Sequence, residues 1–279
     1  MIADEYEIIK KINSGSSQES FKASKKGCQG YFVIDKLKKN KINIPILDEI
    51  IKNAFQILKD INHVNVIKII DFKEDSDYYY CIYEYYNGGS LYDYLNYLKE
   101  NNKSFSEEEV QYIIKQLVEA IKYLHNKGIV HRDIKPAHIF INYDSEEDLS
   151  KKNILKAKIK LIDFYVSAHL EKGNFLDTVV GTHLYMSPEI IKHRNYNEKV
   201  DIWSLGATFC ELLSCKTNFD PQNMKTFRQV PCFQNLSKEA NSFIECTLQY
   251  KPEKRSRAEE LSKHEFLTKN VKDFSFRNK

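Results

Sequence analysis

The apolar pattern changes period at one place, Asn87-Gly88-Gly89-Ser90, and that change limits the chain to a strand-rich part followed by a helical part. Upstream, Tyr6 to Ile12 and Ser20 to Ala23 read as strands around a small-residue turn, Asn13-Ser14-Gly15-Ser16-Ser17. Tyr31 to Ile34, Asn65 to Phe72 and Tyr78 to Tyr83 are further β-branched and aromatic runs. One helix interrupts them, starting near Pro45, with Ile46, Ile50, Ile57 and Leu58 at apolar positions. Downstream, Ser106 followed by Glu107, Glu108 and Glu109 predicts an N-cap with acids at the positive end of a helix dipole. That helix should run through Ile113, Leu117 and Leu124 and stop at Lys127-Gly128. Later helices are predicted over Val200 to Leu213, Lys238 to Leu248 and Ala258 to Lys263, and the charged stretch 144–152 reads as a mobile loop.

A chain of 279 residues that is 42% hydrophobic is long enough for a sizeable core. Its net charge of +3 gives no case for nucleic-acid binding. No apolar run reaches the length of a membrane span, and Met1 to Glu7 lacks the features of a secretion signal. An intracellular, cytoplasmic protein is expected. The six cysteines form no CxxC pair, so reduced thiols are expected rather than a disulfide frame or a zinc site.

His131-Arg132-Asp133-Ile134-Lys135-Pro136 is the first strong motif. It is followed in order by Asp163-Phe164, Gly181-Thr182, Ser187-Pro188-Glu189, Asp201-Ile202-Trp203-Ser204-Leu205-Gly206 and Arg255. This series resembles the eukaryotic protein kinases over essentially the whole chain, and Lys135 and Thr182 resemble the serine/threonine branch. The resemblance implies an α+β, bilobal fold. A five-stranded sheet with one helix would form a small lobe and hinge (1–86), and a mainly helical lobe would follow (87–279), in one domain. Glu84-Tyr85-Tyr86 would be the hinge, with Tyr83 as gatekeeper. ATP and magnesium are the implied cofactors, and proteins are the implied partners.

Phosphoryl transfer requires a triphosphate held in line, its charge neutralised by lysine and magnesium, and a carboxylate to orient the attacking hydroxyl. The family's glycine-rich loop maps onto Asn13, Gly15 and Gln18, which leaves a single glycine where the backbone must approach phosphate. Counting without gaps from Ile12, the family's strand lysine falls on Asp35. Lys36 is next, but alternation along a strand turns it to the other face. A carboxylate and one phosphate charge ~4 Å apart repel by about 4 kcal/mol at an effective dielectric of about 20, on the order of a thousandfold in binding. The helix glutamate that would pair with that lysine maps onto Ala54, and Glu49 lies too far around the helix to replace it. Val33 and Phe140 fill adenine-pocket positions with larger side chains, and Ser20 replaces an apolar roof residue. Glu84 and Tyr86 fall at the hinge positions that meet the base.

Asp133, Lys135 and Thr182 match the family's substrate-orienting base, its phosphate-steadying lysine and the threonine that holds the base. Asp163 matches a magnesium ligand. The second ligand position is His138, and imidazole is a poor ligand for a hard cation. Tyr165 stands where the family has glycine. His131, Phe164 and Leu58 match an internal hydrophobic column, and Glu189 and Arg255 a structural ion pair. Thr178 and Thr182 are the hydroxyls of the activation segment, with Arg132 placed to meet a phosphate on Thr178. The segment from Phe219 to Leu236 is short for substrate docking, with Met224 to Gln229 as its only helical turn. The losses converge on the nucleotide site, so weak or absent ATP and magnesium binding is expected. The expected role is a pseudokinase acting as a scaffold, allosteric regulator or structural component. The alternatives are an active serine/threonine kinase served by Lys22 or Lys36, and nucleotide binding without transfer.

Overall fold

The structure is a computed structural model and describes residues 5–14, 18–39, 45–171, 173–214 and 236–273. Gly15 and the turn expected over Met224 to Gln229 lie outside the described residues. Five antiparallel strands form one sheet in the order β1-β2-β3-β5-β4. They are β1 (Tyr6–Ser14), β2 (Gln18–Lys25), β3 (Phe32–Lys38), β4 (Ile69–Glu74) and β5 (Tyr78–Glu84). Helix α1 (Pro45–Lys59) packs against the sheet.

The cross-strand register sorts the side chains into two faces. Ser20, Asp35 and Cys81 form one row, and Lys22, Val33 and Tyr83 the next. Cys81 and Tyr83 belong to the main core, with Ala54, Ile57 and Leu58 of α1. The alternate row of Phe21, Ile34 and Ile82 faces the other way, and Ile34 and Ile82 close a separate small core with Tyr6 and Ala23. Asp35 is therefore on the face toward α1 and the helical part.

Helices α2 (Leu91–Glu100) and α3 (Glu107–Asn126) open that helical part, each started by a serine whose side chain accepts from the third helical amide while the residue there caps back. Short strands β6 (Ile129–Val130), β7 (Ile139–Asn142), β8 (Lys158–Leu161) and β9 (Ala168–His169) pair as β6 with β9 and β7 with β8. The stretch expected to be a mobile loop holds a helix, α4 (Glu146–Lys151). Ser145 caps it by accepting from the Asp148 amide, acids fill its first turn, and Lys152 closes it in a left-handed conformation at φ 49°. The expected strand from Asn65 also shortens: it begins at Ile69, and Val66 makes an isolated bridge to Leu161.

Helix α5 (Pro188–Ile191) is followed by α6 (Lys199–Ser214), which runs through the centre of the core. Along it Ile202, Trp203, Leu205 and Phe209 are inaccessible to solvent. Helices α7 (Lys238–Thr247), α8 (Ala258–Leu261) and α9 (Glu265–Thr268) complete the fold. Gly206 allows α6 and α7 to touch, since a Cβ there would lie 2.5 Å from Thr247 Oγ1.

Candidate active site

The loop after β6 carries Asp133. Asp201, at the start of α6, is fully buried and accepts from the amides of His131 (2.9 Å) and Arg132 (2.8 Å) and from His125 Nε2 (2.9 Å). Burial pushes the Asp201 pKa up, but the hydrogen bond and charge of His125 outweigh it and hold the carboxyl below its usual value. The loop backbone is thus fixed from beneath, with Arg132 at φ 71°.

Asp133 meets three groups. The Thr182 amide donates to Oδ1 at 2.7 Å, Lys135 Nζ donates to Oδ2 at 2.8 Å, and His138 Nδ1 lies 3.3 Å from Oδ2. Lys135 also donates to the Thr182 hydroxyl. Burial raises the Asp133 pKa, and the bonds from Lys135 and Thr182 with the His138 charge overcome it, so the net shift is downward. Asp133 is held ionised. The structure thus brings Asp133, Lys135 and Thr182 together.

Asp163 follows β8 in the left-handed region, at φ 64°. His138 bridges the two aspartates: Nδ1 is 3.0 Å from the Asp133 carbonyl oxygen and Nε2 is 3.0 Å from Asp163 Oδ2. Each ring nitrogen therefore faces an oxygen, one on either side of the imidazole. Among the described residues no group of three or more His, Cys, Asp or Glu side chains has metal-holding geometry. Phe164 turns into the core edge-on to His131, with ring centroids 4.8 Å apart.

Asp35 accepts from the Ser20 hydroxyl at 2.6 Å. Burial raises its pKa to about 6, and the nearby charge of Asp163 adds to this against the hydrogen bonds of Ser20 and Gln18. Neither neighbouring lysine turns to it. Lys36 Nζ sits 3.9 Å from the Tyr78 ring centre, on the opposite face of the sheet. Lys22 lies between Tyr31 (3.7 Å) and Tyr85 (4.2 Å), so its cation is satisfied by two aromatic faces.

Ala54 is 3% exposed within the core, while Glu49 is exposed to solvent. Tyr165, half-buried, packs against the core, and among the described residues its hydroxyl makes no hydrogen bond of good geometry. Burial, together with neighbouring Tyr83, Cys81 and Asp35, pushes its pKa well above the usual phenol value. Val33 and Phe140 are both half-buried against the core, Phe140 turned away from buried Ile139 and Ile141. In the hinge, the Tyr86 hydroxyl donates to Glu84 at 3.5 Å. One contact was not foreseen from sequence. Asn53, beside Ala54, donates from Nδ2 to the Ser167 carbonyl at 3.2 Å and ties α1 to the segment after Asp163.

Further from the cleft, Arg132 donates from Nη1 to the Thr178 hydroxyl (2.6 Å) and to the Tyr196 hydroxyl (3.0 Å). Arg255 grips Glu189 through both ends of its guanidinium, at 2.5 and 2.8 Å.

Residues 6–267 match the family model of the protein kinase domain. The chain is 30% identical over 274 residues to calcium-dependent protein kinase 4 of Plasmodium falciparum, covering 95% of this chain and 49% of that protein. It is 36% identical over 244 residues to the serine/threonine-protein kinase pakG of Dictyostelium discoideum, covering 82% of this chain and 19% of that protein. With human serine/threonine-protein kinase ULK1 the identity is 31% over 191 residues, 67% of this chain and 18% of that protein. The chain thus spans about half the length of the first of these relatives and less of the others. The motif order, the two-part α+β fold and the family match agree: this chain belongs to the protein kinase family.

Proposed function

We propose that this kinase domain does not transfer phosphate and works as a pseudokinase, a scaffold or allosteric regulator whose partner is a protein. The carrying observation is Asp35, on the inner face of the sheet at the family's lysine position, with Lys36 and Lys22 both engaged by aromatic rings elsewhere. Mg-ATP, the family's cofactor, brings several negative charges to this spot. The residues present do not fit it. Asp35 repels the phosphates, the His138 ring spans the two aspartates in place of a metal, and Tyr165 adds bulk beside the gatekeeper.

The intact network of Asp133, Lys135 and Thr182 favours a second reading, an active serine/threonine kinase with a rearranged phosphate site. In that case Lys22 must leave Tyr31 and Tyr85. A phosphotransfer assay on generic protein substrates, comparing wild type with Asp133→Ala, separates the two. The pseudokinase reading predicts equal, background incorporation. Incorporation by wild type that vanishes in the variant overturns it.

A further inference from the structure

A basic hollow lies on the helical lobe, away from the cleft, between the end of α5 and the loop before α8. Its cavity volume is about 210 Å³, and its wall carries Lys192, Arg194, Tyr250 and Lys251, with Glu253 at the rim. The one acid in the floor, Glu189, is already neutralised by the bidentate grip of Arg255. Arg255 also donates to the carbonyls of Gln249 (2.7 Å) and Tyr250 (3.4 Å), so a buried ion pair fixes both walls. Lys192 donates to the Tyr250 hydroxyl and lies over its ring at 4.8 Å. Arg194 and Lys251 are exposed and have no ion pair among the described residues. Three cations against Glu253 leave the hollow with two uncompensated positive charges.

We infer that this hollow receives the phosphate of a phosphorylated, acidic peptide segment on a partner protein. Its volume is below the roughly 300–1,000 Å³ of sites for drug-sized ligands and suits a single anionic head. The planar fork of Arg194 and the ammonium groups of Lys192 and Lys251 supply charge-assisted donors for a phosphate monoester. A wider depression of about 760 Å³ adjoins it, sharing Pro252 and Glu253 in its wall and running past exposed Phe175. That continuation gives the chain flanking the phosphate a place to lie, which a free anion does not use. The inference does not depend on whether the cleft transfers phosphate.

The test is fluorescence anisotropy on the full chain, with a short labelled peptide carrying a central phosphoserine between aspartates. Wild type should bind it in a salt-sensitive way, and Lys192→Ala/Arg194→Ala/Lys251→Ala should weaken binding by about tenfold or more. All three positions are exposed, so the variant should fold, and Lys36→Ala on the outer sheet face serves as a control that binds as wild type does. The unphosphorylated peptide should bind more weakly. The inference is overturned if wild type shows no binding, or if the triple variant binds equally. It is also overturned if inorganic phosphate or a single-stranded oligonucleotide displaces the peptide at equal concentration.

Discussion

Nε2 of His138 lies 3.0 Å from Oδ2 of Asp163, so an imidazole reaches from the Asp133 loop to the carboxylate that matches the family's magnesium ligand. The family's asparagine would offer a hard oxygen there, and His138 offers nitrogen donors that consume the acceptors instead. His138→Asn alone should leave the domain without Mg-ATP binding, because Asp35 still opposes the phosphates. Asp35→Lys/Ala54→Glu/His138→Asn rebuilds the ion pair and the ligand together. That variant should show a saturable, magnesium-dependent rise in Tm with ATP, by a few degrees at about a hundred times Kd. Equal responses from the single and triple variants would refute this account of the loss.

Asp35 makes stability depend on pH. Its native pKa, about 6, lies above that of an unfolded aspartate. The folded state therefore binds more protons in the window between, and the stability from the neutral carboxyl is fully present below about pH 4 and lost as pH rises through about 6. An asparagine stays neutral throughout. Asp35→Asn should be more stable than wild type by about 1–2 kcal/mol near pH 7.5, with the gap closing toward pH 4.5. Urea melts at the two pH values check this, and a gap that widens on acidification contradicts it.

Among the described residues the buried Tyr165 hydroxyl makes no hydrogen bond of good geometry, although it lies beside Tyr83 and Cys81. Removing an unsatisfied polar atom costs no hydrogen bond, so Tyr165→Phe should hold or raise stability by about 1 kcal/mol. A loss of more than about 1 kcal/mol in the same melts would show that the phenol makes a bond that matters.

The ion pair under the activation segment should behave in the opposite way. Arg255 is 2% exposed, pairs with Glu189 and lies 4.9 Å from the Trp203 ring centre. Arg255→Met strands a carboxylate at 5% exposure and should cost about 3–5 kcal/mol. Arg255→Met/Glu189→Leu should recover a large part of that, and the urea midpoints report both.

Where side-chain direction follows from period, the sequence was enough. Strand alternation alone placed Asp35 inward and Lys36 outward, as the cross-strand rows Ser20–Asp35–Cys81 and Lys36–Tyr80 require. The motif order also carried the fold, since Asp133, Asp163, Glu189, Asp201 and Arg255 each mark a fixed joint of it. What stayed hidden depends on long-range approach. Lys22 meets Tyr85 only because the sheet brings β2 over the hinge, and His138 meets Asp163 only through the pairing of β7 with β8. The helix over Glu146–Lys151 was missed for another reason. Its charge density suggested a loop, although Ser145 and three acids repeat the capping signal that located α3 from Ser106.

The most direct measurement is a thermal-shift titration of the wild-type domain with ATP and magnesium. A carboxylate at the phosphate position and an imidazole at the metal position predict no saturable rise in Tm up to millimolar nucleotide. A large, saturable, magnesium-dependent rise would contradict the account.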